Sequence, residues 1–208
     1  MGLTGSLIIL LANLITALRY SGRNGEPYSM LNHFISELGE VGISPAARIF
    51  NTGLIFGGLL VAPFMFGLGQ ALHSLWGWLG TLFGLIAALG ATFVGLYPMN
   101  NIKPHTRAAM TFFRAGLGME ICFGLAVFFQ PSGQVVIPFA ANFFSLFAIL
   151  AFGAFLLLSD FIKNDKTGQI LDPQQTPQRP RFWLLPAIEW TVYLATLAWI
   201  LGWVLVTW

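Results

Sequence analysis

The chain has 208 residues, 56% of them hydrophobic and only 9% charged, against about 25% charged in an ordinary soluble domain. Its 10 Lys and Arg and 8 Asp and Glu cannot cover a water-soluble body of this length, so the composition excludes one and requires a membrane protein. The net charge of +2 would suit an acidic partner, but the basic residues are scattered through loops without a dense patch, which argues against nucleic acid; the single cysteine, Cys122, excludes an intrachain disulfide and a multi-cysteine metal site.

A helix needs roughly 20 mostly apolar residues to cross a hydrocarbon core about 30 Å thick. Six segments meet or approach that length, at 3–18, 46–68, 75–97, 108–129, 135–162 and 182–206. The first has no basic flank before it and no small-residue cleavage site after it, and reads as a retained span rather than a signal peptide. The expected fold is all-α: a polytopic six-helix membrane bundle forming one integral domain over 1–208. Turns near 69–74, 98–107 and 130–134 are short, which makes consecutive helices antiparallel neighbours. Only the loops 19–45 and 163–181 are substantial, and the second, Pro- and Gln-rich, reads as a flexible linker.

All ten basic residues (Arg19, Arg23, Arg48, Lys103, Arg107, Arg114, Lys163, Lys166, Arg179 and Arg181) fall in or beside the first, third and fifth loops. The positive-inside rule then makes these loops cytoplasmic and both termini external. Trp76, Trp78, Trp203 and Trp208 are placed near one interface and Trp183 and Trp190 near the other, as in aromatic belts. Gly53 with Gly57, and Gly80 with Gly84, have the spacing that lets membrane helices approach closely, and intramolecular packing is the expected use.

The first loop holds an unusual concentration of polar residues, "YSMLNHFISELGEVG", at 28–42. Leu31, Phe34, Ile35 and Leu38 recur at the spacing of one helical face, with His33, Ser36, Glu37 and Glu40 opposite. This predicts a short amphipathic interfacial helix, ended by Gly39, Gly42 and Pro45. Its polar face either meets water or folds into the bundle, where His33 and Glu37, one turn apart, could share a metal or a proton. Arg48, Asn51, Asn100, Asn101, His105, Arg107 and Glu189 converge on the same side from other segments. Arg114, two turns into the fourth span, should have an acidic partner, Glu189 or Glu37. Glu120 is the deepest acid, a functional candidate by its position or a neutral carboxyl hydrogen-bonded between helices, with Asn13 and Asn142 as possible partners.

With these residues in place, "NHFISELGEVGISPAARIFNTGLIFGG", 32–58, resembles the ISELG-bearing segment after the first span in the Frag/DRAM/Sfk group of six-helix membrane proteins, and in particular the prokaryotic family of unknown function DUF998. "YPMNNIKPHTRAAMTFF", 97–113, is similar to the second signature of that group. The resemblance singles out Asn32, Ser36, Glu37, Gly39, Pro45, Phe50, Asn51, Pro98 and His105. It implies a lipid-related role, since eukaryotic members of the group act in GPI-anchor lipid remodelling, lipid asymmetry and lysosomal autophagy, and it supplies no reaction.

Three functions follow as expectations. The first is lipid binding or organisation, with Arg48, Arg107 and Arg114 holding headgroup phosphates. In the second, an intramembrane metal-dependent lipid hydrolase or transferase has His33, Glu37 and His105 as ligands and Ser36 and Glu120 as auxiliary groups. The third is an accessory subunit or scaffold of a larger membrane complex. A transporter with Glu120 as its proton site fits less well, because no internal repeat is visible. Membrane lipids are the expected partners, other membrane subunits are permitted, and the sequence names no cofactor.

Overall fold

The structure, a computed structural model, describes residues 1–131, 133, 135–164 and 179–207. Trp208, Lys166 and most of the linker at 165–178 lie outside the described residues. Among the described residues six helices form: α1 (Gly2–Leu18), α2 (Ala47–Leu72), α3 (Leu75–Leu96), α4 (Ile102–Phe128), α5 (Asn142–Asn164) and α6 (Leu184–Thr207), with short 3-10 turns at Ile35–Gly39 and Phe139–Ala141. No strand occurs among the described residues. Among the described residues five helices are long and apolar enough to span a membrane, whereas α1, with 17 residues, is shorter. At 1.5 Å per residue α1 extends about 25 Å, near the lower limit for a span.

Two boundaries differ from the sequence expectation for local reasons. Helix α4 begins at Ile102 rather than near Ala108, because Pro104 falls in its first turn, where a missing N–H breaks no helical hydrogen bond. Helix α5 begins at Asn142 rather than near Val135, because the Gln130 side chain holds the chain in a turn. Its amide accepts from Val136 N at 2.9 Å and Ile137 N at 3.1 Å and donates to Ile137 O at 2.8 Å.

Each helix packs mainly on its neighbours in sequence, and α6 returns to α1 to close the ring. Small residues set the spacing. A Cβ on Gly53 would lie 2.3 Å from Ala12 Cβ, and one on Gly57 2.3 Å from Ile9 Cγ1, so α1 and α2 touch through the first predicted glycine pair. Gly80 lies against Phe123 and Gly84 against Met65, which makes the second pair intramolecular as well. In a bilayer, where lipid tails are as apolar as leucine, such close van der Waals contact is a main source of helix association.

The tryptophans assigned to the belts divide between inside and outside. Trp203, Trp190 and Trp183 are buried among helices, as is Trp199, while Trp78 stays exposed. A large ring fills interhelical space, and its N–H needs a partner when buried: Trp199 donates to Ser145 Oγ at 2.8 Å and Trp190 to Tyr28 Oη at 2.9 Å.

Gly95 tests the packing. A Cβ there would stand 2.5 Å from the Asn51 carbonyl oxygen, a backbone atom with no rotamer to yield. Gly95→Ala should therefore lower stability by about 1–3 kcal/mol, read as a lower thermal midpoint in detergent. Gly67→Ala, with nothing within 4 Å of the new atom, should melt with the wild type.

Candidate functional site

The first loop folds back on the bundle and plugs the end that carries the arginines. His33, Ser36, Glu37 and Glu40, expected on one face of a surface helix, are all at least nine-tenths buried, and Leu38 and Phe34 on the other side are buried too. The segment is therefore a buried 3-10 turn rather than an amphipathic helix lying on an interface. Five residues of 3-10 helix leave few internal hydrogen bonds, and the rest come from elsewhere. Ile35 N donates to Glu189 on α6 at 2.7 Å, and Asn51 on α2 donates to Gly39 O at 3.0 Å. Asn100, from the α3–α4 turn, exchanges two bonds of 2.8 Å with the backbone of Val41. Gly39 is required there because a Cβ would sit 2.4 Å from Asn51 Oδ1.

Glu37 is the centre of the plug. Its Oε1 accepts from Phe34 N at 2.8 Å and from Arg179 at 3.0 Å, and Oε2 takes the second guanidinium nitrogen. Arg179 also donates to Asn32 O at 3.1 Å, Asn32 returns a bond to Pro180 O at 3.0 Å, and Trp183 N donates to Leu31 O at 2.8 Å. The end of the fifth loop, expected as flexible linker, is thus stitched to the first loop. Glu26 lies 3.8 Å from both Arg179 and His33, and Arg23 pairs with Glu40. Tyr20, Tyr28 and His33 form a ring cluster with centroids 5.1–5.4 Å apart, and Trp190 joins at Tyr28.

Burial, with the Arg179 charge adding to it, pushes the His33 imidazole down to about 4. Burial raises Glu37 above the usual carboxylate range against the pull of Arg179. Arg179 is itself held above its ordinary value, burial being outweighed by the Glu37 carboxylate.

Beneath the plug a cavity of about 140 Å³ runs along the inside of the ring. Ile35, Ser36, His105 and Glu189 line its plugged end; Gly58, Ala87, Ala88, Ala91 and Phe112 form one long wall; Asn13, Tyr193 and Thr196 stand on the α1–α6 side. No Lys or Arg is among the described residues lining it.

The other predicted residues disperse. His105 is buried with Nδ1 2.8 Å from Tyr97 O, beside the turn that contains Pro98. It does not join His33 and Glu37, and among the described residues no group of three or more His, Cys, Asp or Glu could hold a metal ion. Phe50 is buried under the plug and Pro45 is exposed before α2. Arg48, Arg107 and Arg114 are exposed, and among the described residues none of them forms an ion pair. Arg48 shares a surface cleft with Arg19 at the start of α2. The expected pairing of Arg114 with Glu189 or Glu37 does not occur, because Glu189 holds Ile35 N and Glu37 holds Arg179; an outward guanidinium at this depth reaches the headgroups by snorkelling. Glu120 is wholly buried beside Ser145, off the cavity, and Asn13 lies on the cavity wall instead of against it. Asn142 comes near on the next turn, its Oδ1 3.7 Å from where a Gly124 Cβ would stand.

Arg179, Tyr20, Tyr28 and Trp190 escaped sequence reasoning as parts of this site. A buried glutamate in a chain with ten basic residues does call for a cation, but nothing in the spacing selects one 142 positions away.

The arrangement defines a multi-pass helical membrane protein with a loop-plugged internal cavity. A family model described as Protein of unknown function (DUF998) matches residues 4–206, nearly the whole chain, and the protein belongs to that family. No curated protein and no solved structure matches the chain.

Breaking the clamp from one side leaves a buried, uncompensated carboxylate, so Arg179→Met should cost about 3–5 kcal/mol. The Glu37→Gln and Arg179→Met double variant should lose less than the sum of the singles, as a thermal double-mutant cycle will show. His33 sets a pH dependence. Its folded value near 4 lies below the unfolded 6.5, so the unfolded chain binds more protons between them and stability falls as pH drops through that window. Thermal midpoints from pH 7.5 to 4.5 should decline, and less steeply in His33→Gln.

Proposed function

We propose that this protein binds a membrane lipid, taking an apolar portion of it into the cavity beneath the plug. The observation that carries the reading is the cavity itself: a run of small residues on α3, Ala87, Ala88 and Ala91, borders unfilled space where membrane helices ordinarily close up. About 140 Å³ compares with the roughly 150 Å³ engineered cavity that admits benzene, and so holds several methylenes of a chain or one small ring. Protein interiors tolerate few such voids unless something occupies them. In this reading the plugged end faces the cytoplasm, and Arg48, Arg107 and Arg114, outside the cavity, meet the phosphates of the surrounding leaflet and fix the protein's depth.

Native mass spectrometry with lipid extraction tests this. Wild type should carry about one lipid per chain, and Ala87→Phe, or the milder Ala91→Leu, should lower retention about tenfold while remaining monodisperse. Glutamine at Arg48, Arg107 and Arg114 together should leave the retained lipid in place. Lipid kept by both filled variants, or lost only from the arginine variant, would move binding to the outer surface and overturn the reading.

A further inference from the structure

The largely apolar cavity is bordered on its α1–α6 side by polar side chains with no hydrogen-bond partner among the described residues. Asn13, on α1, is 2% exposed, lines the cavity, and has neither Oδ1 nor Nδ2 hydrogen-bonded. Ser6 lies seven residues earlier on the same helix, about 10 Å along its axis; it also lines the cavity and its buried Oγ has no partner. Across the α1–α6 seam the Tyr193 hydroxyl is likewise unpartnered; it approaches Asn13 without reaching hydrogen-bond geometry. Even a full bond between the two would leave most of the amide open, since Asn offers two N–H donors and a carbonyl with two lone pairs. These groups lie well within the bundle: Asn13 stands five residues, about 7.5 Å, before the end of α1, and Tyr193 nine residues, about 14 Å, into α6.

An unmade hydrogen bond in hydrocarbon surroundings is costly for each group, and a plain acyl chain in the cavity would leave all of them unmade. Charge narrows the ligand further. The described residues lining the cavity include Glu189 and no Lys or Arg, so a phosphate or carboxylate would enter without a counter-ion and against a carboxyl. Glu189 already accepts from Ile35 N, which commits one of its oxygens to the plug.

We infer that the cavity selects a neutral lipid bearing a carbonyl or hydroxyl, with Asn13 and Tyr193 holding that group inside the membrane while the α2–α3–α4 wall takes its apolar body. The inference rests on the lipid-binding reading above. Asn13 Nδ2 and the Tyr193 hydroxyl donate to a ligand carbonyl, and Asn13 Oδ1 accepts from a ligand hydroxyl. Diacylglycerols and isoprenoid quinones both present this chemistry.

The experiment is equilibrium binding of three radiolabelled probes to delipidated full-length protein in detergent: dioleoylglycerol, an isoprenyl benzoquinone, and squalane, which has no polar atom. Wild type should bind at least one of the first two about tenfold or more tightly than squalane, and which one identifies the source of the carbonyl. Asn13→Leu and Tyr193→Phe should each lose about tenfold toward that probe and keep squalane affinity, which also reports that the cavity is intact. If Asn13→Leu loses squalane too, Tyr193→Phe decides. Equal binding of all three probes by wild type, or variants indistinguishable from it, would overturn the neutral-group inference and leave the lipid reading standing. No binding of any probe, with retention of phosphatidylglycerol instead, would overturn both.

Discussion

The contact between Glu37 and Arg179 is the constraint on which the rest of this molecule turns. A carboxylate with 1% of its surface exposed must find a cation or give up its charge, and the one it finds comes from the far end of the chain. The pair draws the fifth loop onto the first, and the bonds around it (Arg179 to Asn32, Asn32 to Pro180, Trp183 to Leu31) convert two loops into one lid over the helix ring. Ile35, Ser36 and Glu189 are then held where they line the cavity. The motif residues of the first loop serve this docking: Asn32 and Glu37 meet Arg179, Gly39 makes room for Asn51, and Ser36 lies against Met99.

The cavity depends on the same small side chains that pull the helices together. Where Gly53 and Gly57 face α1, glycine removes bulk and the backbones close the gap. Gly58 does the same against Ala88 and Thr92 of α3, whereas beside Ala87, Ala88 and Ala91 space remains as the cavity. Large aromatic residues fill the neighbouring seams instead, with Trp199, Trp203 and Phe123 packed in one half and Phe113, Phe152 and Phe155 in the other. The cavity is apolar on every side, and polar side chains that border it from α1 and α6, Ser6, Asn13, Tyr193 and Thr196, stand among Ile9, Val192, Leu197 and Ile200.

Much of this was legible from composition. Eighteen charges in 208 residues left no soluble alternative, and hydropathy located the helices because lipid penalises any interruption. Glycine spacing correctly foretold packing within the chain, and the polar stretch around Glu37 marked the end where a site is built. Other features were illegible for identifiable reasons. Periodicity could separate the two sides of 31–40 but could not show that the polar side is buried, since its burial comes from loops far away in sequence. A tryptophan near a span end satisfies a belt and a seam equally well; only the neighbouring helices decide, and they buried Trp183, Trp190 and Trp203. The sequence allows Asn13 as a partner for Glu120, yet the two point into different seams because ring order, invisible in the sequence, separates α1 from the α4–α5 contact. The cavity is a sum of small omissions on five segments, none of which is unusual alone.

The lid joins parts of the chain that are made at very different times. Asn32 meets Pro180 across 148 positions, and Glu189, which receives Ile35 N, belongs to the last helix. During synthesis the first five helices can enter the bilayer and pair in order, each with the one before it. Throughout that period Glu37 has no Arg179, so its carboxylate either stays in water or gives up its charge. The contacts that hold the lid shut, to Arg179, Pro180 and Glu189, therefore become available only when the last seventh of the chain has been made.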